Sequence, residues 1–71
     1  MNNHSEPKLY IVELYDPQGD PIFTCSAELK DLHSARRMAK IAARSKHLPA
    51  KMYAVKDAEN KCLDFNWLSK V

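Results

Sequence analysis

Only one stretch of this chain repeats its apolar residues with the period of a helix. Asp31 to His47, DLHSARRMAKIAARSKH, puts Leu32, Ala35, Met38, Ala39, Ala42 and Ala43 on one side at about 100° per residue. His33, Arg36, Arg37, Lys40, Arg44 and His47 fall on the opposite side, with Ile41 on the flank. The other regular segments alternate with period two, the pattern of strands with one face buried. A single helix can cover one face of a sheet and no more, so this pattern restricts the chain to a two-layer α+β domain.

The strands flank the helix in pairs. Lys8 to Asp16, KLYIVELYD, is rich in aromatic and β-branched residues. Glu13 shares a face with Leu9, Ile11 and Tyr15, so Tyr10, Val12 and Leu14 are the expected buried set. PQGD, Pro17 to Asp20, contains the only glycine of the chain and predicts a β-turn of type I or II. Ile22 to Leu29 is the second strand, with Phe23, Cys25 and Ala27 inward and Ile22, Thr24 and Ser26 outward. Asp31 is the expected helix N-cap, and Pro49 stops the helix. Lys51 to Ala58 and Lys61 to Leu68 form a second hairpin around Glu59 and Asn60, where Asn60 can take a positive φ.

The predicted fold is therefore ββαββ: a four-stranded antiparallel sheet with one helix packed on one face. A right-handed crossover allows the strand order 2-1-3-4 or 1-2-4-3. Residues 1–7 are expected to be a flexible N-terminal arm, and 8–71 a single ββαββ domain. The predicted core is Tyr10, Val12, Leu14, Phe23, Leu32, Met38, Tyr53, Val55, Leu63, Phe65 and Trp67.

Charge is distributed unevenly. The net charge is +2, but Lys30 to Lys51 carries seven Lys/Arg against one acid, giving +6, and the remainder nets −4. A solvated helix face ordinarily mixes Glu with Lys for i,i+4 support, whereas no acid stands between Asp31 and Asp57. Three of these cations are arginines on the helix, the side chain best suited to phosphate and carboxylate. Arg36, Arg37, Lys40, Arg44 and His47 are therefore the candidate surface for an anionic partner, with nucleic acid or a ribonucleoprotein foremost. The uncovered sheet face offers a second candidate surface, in which Leu9, Ile11, Ile22 and Met52 would meet a protein partner or a second copy. Tyr15 is the only aromatic expected there, which speaks against a platform that stacks single-stranded bases.

Other function classes find no support. With one glycine there is no phosphate-cradling loop and no nucleophile elbow. His33 and His47 would lie about 20 Å apart along the helix, too far to share a metal, and His4 is on the arm. Cys25 and Cys62 are expected on opposite faces and unpaired. No apolar run reaches the roughly 18 residues of a membrane span, and the first residues lack the apolar core of a leader. The expectation is a cytoplasmic, non-enzymatic binding module with reduced thiols. It calls for no cofactor, metal, small-molecule substrate or membrane.

Two resemblances follow from these segments. LYIVELYDPQGDPIFTCSAELKDLHSARRMAKIAA is similar to the strand-turn-strand-helix of arm-type DNA-binding domains of phage integrases, which implies DNA binding through the sheet. The paired hairpins KLYIVELYD…PIFTCSAEL and KMYAVKDA…KCLDFNWL around one helix resemble small phage-encoded inhibitors such as certain type I-F anti-CRISPR proteins. That likeness implies an inhibitor acting on a larger assembly.

Overall fold

The structure is a computed structural model that describes residues 6–71. Of the predicted arm, 1–5 lie outside the described residues, and Glu6 and Pro7 belong to no regular element. The elements are β1 (Lys8–Tyr15), β2 (Pro21–Leu29), α1 (Leu32–Ser45), β3 (Met52–Lys56) and β4 (Cys62–Trp67), followed by a 3-10 turn at Leu68–Lys70. The strands form one antiparallel sheet in the order β2-β1-β3-β4, the first of the two predicted arrangements.

Both hairpins close in the same way. Asp16 accepts the Gln18 and Asp20 N–H groups on its side chain, and its carbonyl accepts from Gly19. Asp57 repeats this with Glu59, Lys61 and Asn60. The fourth residue of each turn is left-handed, Gly19 at φ 87° and Asn60 at φ 68°. Glycine and asparagine tolerate that conformation best, and a turn-opening Asp side chain replaces two missing backbone acceptors.

Asp31 caps α1 as expected, its carboxylate accepting from the Ser34 N–H at 2.8 Å. The helix ends at Ser45, two residues before the predicted His47. His47 is left-handed, at φ 53°. Its N–H donates to the Arg44 carbonyl, and the Leu48 N–H donates to Ala43 at 3.0 Å. This pair of bonds is the Schellman closure, and it folds Leu48 back against the core before Pro49.

The helix lies mainly over β1, with β3 and β2 behind it. Ala35 and Ala39 are fully buried at its closest approach, and Tyr10, Val12, Leu14, Tyr53 and Val55 form the sheet side of the core. Phe23, Leu32 and Met38 pack on it as partly buried neighbours. Leu63, Phe65 and Trp67 do not belong to the core: they are 41%, 56% and 52% exposed. A helix is about 10–12 Å across, whereas four strands at about 4.8 Å spacing span more than that. β4 is the edge strand beyond its reach, so its helix-side position is taken by a polar residue, Asp64, hydrogen-bonded to Arg36 and Tyr53. Alternation then turns Phe65 and Trp67 to the other face, opposite Ala54 and Met52. Leu68 fills the vacated core position, carried there by the 3-10 turn.

The helix closure gives a direct stability test. A β-branched residue is disfavoured in the left-handed region, and glycine is not. His47→Val is expected to lose about 1 kcal/mol and lower the melting temperature by about 4–8 °C, while His47→Gly melts no lower than the wild type. Thermal denaturation followed by circular dichroism checks both.

Candidate functional site

Two surfaces stand on opposite sides of the sheet, and each is built differently from its sequence expectation. On the helix, the five predicted residues do not act as one set. Arg36 reaches sideways to β4, its Nε 2.7 Å from Asp64 Oδ2. The same carboxylate oxygen accepts the Tyr53 hydroxyl at 2.5 Å. Lys40 Nζ donates to the main-chain oxygen of Val71 at 2.7 Å. Arg37 and Arg44 are exposed, and His47 stands past the helix end in the closing turn. Lys46 is engaged elsewhere, its Nζ 5.5 Å from the Phe23 ring centre.

His33, Arg37, Lys40 and Arg44 recur at i, i+4, i+7 and i+11 and so share one stripe of the helix. With Ile41 and Val71 they line a shallow, open depression of about 410 Å³. Ile41 stands on the flank, beside this stripe toward Met38, and is 59% exposed. Among the described residues no Asp or Glu lines the depression. Repulsion between like charges at i,i+4 costs a few tenths of a kcal/mol per pair. Among the described residues, Asp64 from outside the helix offsets Arg36.

On the sheet, the open face carries more aromatic surface than the sequence suggested. Tyr15, Met52 and Trp67 lie in one cross-strand row, and Glu13, Ala54 and Phe65 in the next. The Tyr15 and Phe65 rings stack at 5.6 Å with 17° between their planes. Ala54 is on this face yet only 2% exposed, so the stack bridging β1 and β4 roofs it over. Among the four residues predicted for a protein interface, Leu9 is exposed while Ile11 and Met52 are half-buried in this face. Ile22 packs against the core cluster instead. The irregular pairing between Leu14 and Tyr15 puts Ile22 at the bulge between Pro21 and Phe23, which breaks the alternation used to place it outward. Tyr15 is therefore not the only aromatic here, and the reason for discounting a base-stacking surface falls away. Charge still separates the two faces: Lys56 Nζ is 3.1 Å from Glu13 Oε1, and Tyr15 donates its hydroxyl to the same oxygen at 2.6 Å.

Hydrogen bonding sets the ionisation of these groups. The Tyr53 hydroxyl, then Arg36, holds the Asp64 carboxyl below the usual carboxylate range against the opposing effect of burial. Tyr53 itself is pushed up to about 12 by burial and by its bond to Asp64. The Tyr15 hydroxyl also rises to about 12, chiefly through its bond to Glu13. Burial pushes the Cys25 thiol up, away from a reactive thiolate, and both cysteines are free. Among the described residues no group of three or more His, Cys, Asp or Glu could hold a metal ion. Among them, too, no helix is long and apolar enough to cross a membrane. No family model, curated protein or solved structure matches the chain.

Asp64 gives this region a pH signature. Its folded pKa is lower than its unfolded value, so its contribution is complete above the ordinary range. It is lost as pH falls through the depressed value. Asp64→Asn is expected to destabilise the protein at neutral pH, and the gap to wild type should close as pH drops below about 4. Urea midpoints measured from pH 7 to pH 2 check the trend; a gap that stays constant would mean that the carboxylate contributes nothing through its charge.

Proposed function

We propose that the protein is a small non-catalytic binding module whose helix contacts an anionic partner through Arg37, Lys40 and Arg44, most simply the phosphate backbone of a nucleic acid or ribonucleoprotein. The observation that carries this reading is the depression that these three cations and His33 line beside the exposed Ile41, with no Asp or Glu among the described residues that line it. Arginine forks match phosphate oxygens, and neutralising phosphates releases condensed counterions, which gives sequence-independent affinity. Lys40 uses one of its three N–H donors on the Val71 main-chain oxygen and keeps two for the partner, whereas Arg36 moves out of the binding set, because its guanidinium is ion-paired with Asp64. His47 moves out as well, since its position serves the helix closure. A second reading, protein interaction or inhibition through the open sheet face, draws on the exposed Phe65 and Trp67.

The helix reading predicts a shallow but definite salt dependence. Three phosphate contacts give a slope of log K against log salt of about −2.7 on duplex and about −2 on single strands. Arg37→Glu with Arg44→Glu is expected to reduce binding to a fluorescent oligonucleotide tenfold or more at low salt, with the fold intact. Arg36→Gln should leave that affinity within about twofold and lower the melting temperature instead. Titration by fluorescence anisotropy measures all three. A double variant that binds like wild type ends the proposal.

A further inference from the structure

The open face of the sheet is the larger unexplained surface. Its aromatic row ends in Trp67, the only tryptophan of the chain, and Phe65 stands beside it; both rings are more than half exposed. Buried aromatic side chains cover about 150–250 Å² each, so these two leave on the order of 200 Å² of ring surface in water. Leu9 and Leu63 add about two-fifths of their surfaces, and Met52 and Ile11 fill the floor. From strand spacing and rise the face is roughly 19 by 20 Å, about 380 Å² in projection, so two copies cover on the order of 800 Å² between them, the size of a weak and readily dissociating interface.

We propose that this face packs against the same face of a second copy of the chain, forming a two-fold dimer of sheets. The proposal rests on the protein-interaction reading of the face and is independent of the helix. Three observations single out a second copy. First, the charges at the centre of the face cancel within it: Glu13 is paired with Lys56 and also accepts the Tyr15 hydroxyl. Two such faces meet without net repulsion, and neither leaves an unpaired charge at its centre to select an oppositely charged foreign partner. Second, the core beneath the helix is small: among the described residues its cluster has eight buried members, and two of them are alanines. A chain near the lower size limit gains a second apolar layer from a copy that is always present, at the roughly 10 Å separation of packed sheets. Third, edge-to-edge pairing is blocked at β4. The Trp67 N–H donates to the Asn66 side chain at 2.8 Å, and the pairing with β3 is irregular beside Leu63. A capped and bulged edge resists strand addition, so Phe65 and Trp67 on β4 are left to associate through the face; β2, the other edge of the sheet, lies on the far side from them.

Trp67 reports on the proposed interface directly. Sedimentation equilibrium and Trp67 emission are measured on the wild-type chain across a dilution series from hundreds of micromolar to tens of nanomolar. The expected result is a dimer whose dissociation on dilution coincides with a red shift of the emission, little altered by added salt. Phe65→Lys is expected to weaken the dimer roughly 30-fold or more, the scale of a central interface anchor. Because Phe65 also roofs Ala54, Trp67→Lys is the second variant, read by mass alone, with far-ultraviolet circular dichroism confirming the fold of each. A wild-type monomer at hundreds of micromolar, with red emission independent of concentration, overturns the second copy as occupant and leaves the face to a foreign protein. A dimer that both folded variants retain overturns the face itself as the contact, and with it the protein-interaction reading.

Discussion

The carboxylate of Asp64 ties α1 to the β3–β4 edge of the sheet, which the helix otherwise barely covers. It receives Arg36 from α1 and the hydroxyl of Tyr53 from β3, and it is itself held on the edge strand. The helix packs through alanines, which bring it close to β1 but leave it too narrow to shelter β4 with apolar side chains. A polar clasp at the flank takes over where hydrophobic contact runs out. This choice sets the direction of every other residue on β4, since alternation along a strand is rigid. Polar residues on the helix side send the aromatic residues to the other.

The two faces follow from that constraint. On one side, a helix with no acid of its own projects Arg37 and Arg44 into solvent along a depression bordered by the exposed Ile41. On the other, a stacked ring pair and a lone tryptophan stand over a self-neutralised ion pair. Under the proposed reading the first surface would select by charge and the second by shape and apolar area. Ionic strength would then act on the helix side and leave the sheet side almost untouched.

Most of the fold was legible in the sequence, because the period of apolar residues changes cleanly from two to 3.6 and back. The Asp31 cap, the turn around Gly19 and the left-handed Asn60 each had a local chemical cause that the sequence displays. The orientation of β4 was not legible from hydrophobicity. KCLDFNW offers an apolar set and a polar set at alternate positions, and the apolar set was the natural candidate for the core. The missing consideration was width: one helix over four strands leaves an edge strand half uncovered, and an acid facing an arginine-rich helix is a plausible occupant of the gap. The equivalent Asp57 and Asp16, each three residues before a left-handed position, were also readable signals of matching turns. At the helix site, sequence spacing showed which cations share a side. It could not show that Arg36 and Lys40 find partners on β4 and at Val71, segments 28 and 31 residues away.

Placing the cationic stripe and the aromatic row on opposite sides of a single sheet has a consequence for valency. Neither occupant can crowd the other, since the whole thickness of the domain separates them. When two chains pair through their sheets, the layers run helix, sheet, sheet, helix at about 10 Å intervals. The two basic helices then lie roughly 30 Å apart and point in opposite directions. In the proposed dimer such a geometry would keep both helices from gripping one straight anionic strand; the unit would instead join two separate strands, or two distant turns of one folded strand, with the protein between them as a spacer.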